Sequence, residues 1–371
     1  MCALDGVCPL CYNGDNKNET RENPMLNTKA TYPFWITEPD DIAKILASCK
    51  RGTVHTLCKS AGGHDIPYIT YGEKEDYNRQ ANFSSSCGAR HPKYYADREG
   101  KRKTIMIIGA THGQETEGVC GIANLLSLLE TGVDLRGEPV PMITEAFDAL
   151  NPRLIIIPIY NMDGRLRCPA DSMLGEPHDA DGYGLRYYGQ GTWKDGSLCG
   201  WPQCKMVHPI KDAAGHLGAY FNDDGVNLIH DNFFAPMAEE TRALMKLIDE
   251  EAPECVVGLH GGSNSTNELL QPDYVPLYIK EGVYNLACAT AALEEAHGYK
   301  TKVNPVKDTV PGFPPPSFNL TTAIYHICGA VTSTYESNEG LCEKNAFGAE
   351  EILIRHYCLF AAMFNCGWEA K

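Results

Sequence analysis

Residues 101–132 read KRKTIMIIGATHGQETEGVCGIANLLSLLETG. Thr104 to Ile108 is an apolar run of strand length, a glycine-containing turn follows it, and Val119, Ile122, Leu126 and Leu129 then recur at helical spacing. The same alternation returns along the chain. LIIIPIYN at 154–161 predicts a strand, residues 239–251 a helix, CVVGLH at 255–260 a strand, and the stretches near 281–297 and 347–366 predict helices. Strands alternating with helices point to an α/β fold, with a mixed, mostly parallel central sheet and helices on both faces.

Upstream, Glu38 to Cys49 predicts a short helix opened by acidic residues, with Ile42, Ile45 and Leu46 on one face. TVHTLCKSAGGHDIPYITYG alternates apolar and polar residues on both sides of a Gly-Gly turn and predicts a β-hairpin. The first 30 or so residues are polar and Asn-rich without a usable period. The economical division is an N-terminal arm, 1–37, and one domain, 38–371. Within it, residues 168–222 are rich in Gly, Tyr, Trp and His without periodicity. Such long irregular inserts commonly serve as lids or binding loops, here near the active site.

The chain has 371 residues, 43% of them apolar and 22% charged, the composition of a folded globular protein. Acidic residues outnumber basic ones 48 to 32, for a net charge of −16, which opposes attraction to nucleic acid and to anionic lipid. The apolar runs fall short of the roughly 18 residues of a membrane span. The opening MCALDGVCPLCYNGDNKNET does not have the basic start and apolar stretch of a signal peptide. The expectation is a cytoplasmic protein with neither a nucleic-acid nor a membrane partner; the sequence leaves its oligomeric state open.

Sixteen cysteines fit that compartment as reduced thiols. Cys120, Cys255, Cys288, Cys328 and Cys358 stand singly in apolar stretches and read as small buried side chains. Cys2, Cys8 and Cys11 form one grouping and Cys199 with Cys204 another, so a zinc knuckle assembled from the two is the alternative to plain thiols.

His112-Gly113-Gln114-Glu115 is uninformative as a bare tetrapeptide, because histidine and an acid at this spacing recur by chance. Its place is informative, since ligands of open α/β sheets gather at the carboxyl ends of strands. His260 closes the strand CVVGLH and would emerge at the same edge. Two histidines and a glutamate there match a catalytic zinc site, in which three protein ligands leave a fourth position for water. The alternative is that both histidines simply cap buried strands.

HGQE after a strand, IPIYNMDGRLR, DDGVNLIHDNF, VVGLHGG and the late TYES resemble, in order, the motifs of the zinc carboxypeptidase family, whose fold is sometimes called funnelin. The hairpin resembles the start of that domain, so the resemblance runs from about residue 40 to the C-terminus. It implies one zinc ion held by His112, Glu115 and His260, with Glu336 as general base. The family's carbonyl-polarising arginine lies downstream of an Asn-x-x-Gly motif, here Asn161 to Gly164; Arg167 is the choice, with Arg165 and Arg186 as competitors. Tyr325 in AIYHICGAV matches the family's mobile substrate-contacting tyrosine. Asn161, His230, Asp231 and Arg186 complete the expected substrate-binding set.

The chain departs from the family after Gly225-Val226. Asn227 stands for an aspartate that supports a zinc-bound histidine, and His230 and Asp231 stand where an Asn-Arg pair grips a peptide's terminal carboxylate. This is an atypical member, and unless Arg186 reaches the pocket, an anionic leaving side should bind weakly. The activity implied is zinc-assisted hydrolysis of an amide bond in a peptide or small N-acyl substrate, the hallmark of a metallocarboxypeptidase-like enzyme. The alternatives are a deacylase of the aspartoacylase or succinylglutamate desuccinylase type, and a zinc-binding relative without catalysis.

Overall fold

The strand expected at Thr104–Ile108 lies at the centre of a seven-stranded sheet. The computed structural model describes residues 32–174, 183–262, 268–309, 312–341 and 346–369. In chain order the elements are α1 Pro39–Ser48, β1 Thr53–Lys59, β2 Asp65–Tyr71, α2 Phe83–Gly88, β3 Thr104–Ile108, α3 Glu117–Thr131, α4 Pro141–Leu150, β4 Arg153–Ile157 and α5 Met162–Arg167. Then follow α6 Tyr183–Gly189, β5 Gly191–Trp193, β6 Ala214–Leu217, α7 Glu239–Glu251, β7 Cys255–Gly261, β8 Glu268–Leu270, α8 Leu277–Ala296, α9 Leu320–Cys328, β9 Val331–Ser337 and α10 Ala349–Phe364.

The main sheet runs β1-β2-β4-β3-β7-β9-β8. Its four inner strands, β4, β3, β7 and β9, are parallel, and antiparallel strands close both edges. Ile105, Ile107, Ile155, Val257 and Leu259 are exposed by 1% or less, as befits strands covered on both faces. Each such burial contributes about 1.5–3 kcal/mol. Helix α10 packs on α3, α4 and α8, while α7 packs on β1 and α9, giving helical cover on both faces. Among the described residues no helix is long and apolar enough to cross a membrane.

Local chemistry explains where expectation and structure part. The strand expected over 154–161 ends at Ile157, because Pro158 has no N–H to continue the ladder. Residues 168–222, expected to be irregular, hold a small antiparallel pair, β5 with β6, over a cluster of Cys199, Cys204, Ile210 and Phe221. Cys199 and Cys204 are free thiols there; Cys2, Cys8 and Cys11 lie outside the described residues, as does 1–31 of the expected arm. Phe34 and Trp35 are buried in the main core, and the Trp35 indole donates to the carbonyl of Asp171. Cys120, Cys255, Cys328 and Cys358 are buried as expected, whereas Cys288 is exposed on α8.

The loops at the carboxyl edge of the sheet are stacked backbone on backbone. Gly113 donates its N–H to Ala219 (2.8 Å), and Tyr160 and Asn161 donate theirs to Gly109 and Ala110. A side chain on Gly113 would collide with the backbone of Gly164 and Arg165. Gly113→Ala should therefore lower stability by about 1–3 kcal/mol or more, since neither backbone can give way like a side chain. Urea unfolding measures this, and an unchanged midpoint would mean that the loops do not pack this closely.

Candidate active site

Four side chains meet at the carboxyl edge of the parallel strands. His112 and Glu115 lie in the turn between β3 and α3, His260 is the penultimate residue of β7, and Glu336 the penultimate residue of β9. The β7–β9 register sets His260 directly opposite Glu336. Neighbouring strands lie about 4.8 Å apart, so this pairing alone brings the two side chains together.

His112, Glu115 and His260 are exposed by 5%, 2% and 3%, and their ligand atoms all lie within 4.8 Å of one another. Nδ1 of His112 is 2.7 Å from Oε1 of Glu115, and Nδ1 of His260 is 2.8 Å from Oε2. Despite that approach, Oε2 has no hydrogen-bond partner. A buried carboxylate oxygen close to an imidazole nitrogen, yet outside hydrogen-bond geometry, suits donors aimed at a common point. Two imidazole nitrogens and one carboxylate oxygen form a donor set that fits zinc. Among the described residues this is the one group of three or more such side chains able to hold a metal. Burial would raise the Glu115 carboxyl, but the two imidazoles outweigh it and hold the pKa at about 2.

The histidines are oriented from behind. Nε2 of His112 lies 3.3 Å from Oδ1 of Asn227, which also accepts the N–H of Ile229. A neutral amide thus occupies the place where a carboxylate would make the imidazole a stronger base. Tyr220 stacks on His112 with centroids 3.9 Å apart and planes 5° from parallel, a partner that no sequence motif announced.

Glu336 opens into a cleft of about 600 Å³ with His112, Glu115 and His260 on its wall. Burial drives its carboxyl up, to about 7; His260 draws it down, while Glu115 and Glu268 add to the rise. A carboxyl poised there can exchange a proton near neutral pH.

The remaining sequence-derived residues divide sharply. His230 and Arg186 line the cleft. His230 is kept neutral, its pKa lowered to about 3 by burial and then by the charges of Lys205, His112, His208 and His260. Asp231 is turned away: its Oδ1 accepts the N–H groups of Asn232 and Met237, and its Oδ2 that of Ala238. Asn161 caps α5 and binds the carbonyl of Ala219, so it braces the loops instead of meeting substrate.

Arg167 is not brought into the cleft. Its guanidinium is tied to the carbonyls of Gly218 and Phe221 and to Asp223. Its competitor Arg165 is buried, donating to the carbonyls of Gly113 and Ala170. Of the three candidates only Arg186 faces the cleft. Tyr325 lies elsewhere, in a second hollow with Phe83, Phe318 and His326, its hydroxyl 3.4 Å from that of Tyr278. The sequence reading missed Lys205, whose ammonium sits 3.7 Å over the Trp201 ring inside the cleft. A cation inside the irregular insert was the available signal, but nothing in GWPQCKM marks which way it points.

No family model and no curated protein sequence matches this chain. Solved structures do. A metallo-carboxypeptidase from Burkholderia cenocepacia is 14% identical, with a TM-score of 0.52 over 89% of this chain and 69% of that one. The carboxypeptidase A of Helicoverpa armigera is 14% identical, with a TM-score of 0.50 over 90% of this chain and 73% of that one. Bovine thrombin-activatable fibrinolysis inhibitor, in complex with tick carboxypeptidase inhibitor, is 8% identical, with a TM-score of 0.50 over 90% and 97%. At these identities the likeness speaks for architecture, and the chain has the fold of the metallocarboxypeptidases.

Proposed function

We propose that this protein is a zinc-dependent hydrolase of amide bonds, acting on a peptide or a small N-acyl amino compound. The observation that carries the reading is the placement of Glu336. A partly buried carboxyl, with a pKa raised to about 7, stands opposite His260 and shares one cleft with His112 and Glu115. A binding site without chemistry has no use for such a group.

His112, Glu115 and His260 would hold the ion, which when bound supplies Lewis acidity to a water and to the substrate carbonyl. Glu336 takes the proton from the attacking water and returns it to the leaving amine, so the base used for attack becomes the acid for departure. Asn227 and Tyr220 keep His112 in one orientation through that cycle. His230 remains neutral and bounds the cleft without opposing an anion. The carboxylate of Asp231 is engaged by three backbone N–H groups and is not part of the cleft wall. With Arg186 and Lys205 on the cleft wall, a free carboxylate on the leaving side is accepted, as in an exopeptidase or in a deacylase that releases an amino acid. A non-catalytic zinc protein is the weaker reading, because it leaves Glu336 without a task. The cytoplasm remains the compartment in which so many free thiols would stay reduced.

Two variants test the assignment. His260→Ala should lose nearly all its metal on elemental analysis, and undiminished zinc would move the site elsewhere. Glu336→Gln should retain both metal and fold yet lose turnover on the order of 10²–10⁴-fold, since an amide of the same shape cannot accept the proton. Activity close to the parent's in that variant would remove Glu336 from the chemistry.

A further inference from the structure

The chain carries a net charge of −16, yet the cleft presents two cations, Arg186 and Lys205, both from the insert. Neither forms an ion pair with an acid among the described residues. Partial burial lowers the pKa of Lys205. Its ammonium is instead held over an indole, a contact that fixes a cation's position without neutralising it.

Lys205 is also placed at a definite remove from the reacting centre. A ladder of rings leads to it: His112 stacks on Tyr220 at 3.9 Å, Tyr220 meets Trp201 at 6.0 Å, and Trp201 carries Lys205 at 3.7 Å. His230 lies beside this ladder, 6.1 Å from Trp201, and is neutral. The arrangement suits an anchor for the far end of the released group.

A leaving amino acid brings one α-carboxylate, which one cation satisfies. Arg186 and Lys205 both keep exposed side chains on the cleft wall, so the cation that the α-carboxylate does not engage remains free to attract a second anionic group of the same ligand. We propose that the released group is an acidic amino acid, its two carboxylates divided between Lys205 and Arg186. The inference rests on the hydrolase reading above for which bond breaks, and it holds whether the acyl side is a peptide or a simple acid.

The test uses zinc-loaded full-length protein with N-acetyl-leucyl-glutamate, its glutamine and leucine counterparts, and the pair N-acetylglutamate and N-acetylglutamine. The glutamate members should be favoured in kcat/KM by about tenfold or more, the factor that about 1.4 kcal/mol of added binding gives. Lys205→Met and Arg186→Met should each bring that preference toward one, mainly through KM. Calorimetry on Glu336→Gln gives the same comparison without turnover, glutamate compounds binding more tightly than glutamine compounds. Equal kcat/KM for glutamate and glutamine would overturn the inference. So would an Arg186→Met variant that loses kcat but keeps full selectivity, which would make Arg186 the carbonyl-polarising group. The two readings fail differently: selective binding without hydrolysis of any compound overturns the proposed function and leaves the acidic preference standing, and hydrolysis without selectivity does the reverse.

Discussion

A carboxylate that is 2% exposed needs polar partners, and Glu115 has two imidazole nitrogens within 2.8 Å, His112 from the turn after β3 and His260 from β7. Most of the molecule's order at the carboxyl edge of the sheet follows from that requirement. His112 has to hang from the end of β3 and His260 from β7, so the two strands are held in parallel register, Ile105 against Cys255 through Ile108 against Gly258. Register on the other side of β7 then fixes Glu336 beside His260. A one-residue slip of β9 would send the Glu336 side chain to the opposite face and separate it from His112, Glu115 and His260. The surrounding apolar sheet thus does more than stabilise: it sets a spacing that chemistry depends on.

Holding the loops demands equal rigidity. The turn 109–116 lies so close to α5 that Gly113 has no room for a methyl group, and Arg165 reaches across to the carbonyl of Gly113. Asn161 does the same toward Ala219. This explains why residues that match a substrate-binding motif can be structural here. An arginine with its N–H groups on backbone carbonyls tethers three chain segments, and its charge is not available to a ligand. Arg167, bound to two carbonyls and Asp223, is occupied in the same manner.

How much the sequence disclosed depended on the physical signal each element carries. Thr104–Ile108 and Glu239–Glu251 fall where apolar periodicity places them, because each buries a continuous or one-sided apolar face. β9 escaped notice: VTSTYES buries Thr332, Ser333 and Thr334, so its interior is polar and no apolar run marks it. His112, Glu115 and His260 were legible because strand ends are where ligands collect. Lys205 and Tyr220 were not, since their direction is decided by the small cluster of Cys199, Cys204, Ile210 and Phe221 under the insert. Likewise Asp231, expected among the substrate-binding residues, has its carboxylate turned to three backbone N–H groups, which no sequence pattern reveals.

The cleft is built from two supports of different kinds. His112, Glu115, His260 and Glu336 sit on or beside strands of the main sheet, where burial on both faces leaves little freedom. Arg186, Trp201 and Lys205 sit on an insert with its own two-stranded sheet and its own small core. Changes in that insert can move or replace a cation without disturbing the register of β7 against β9.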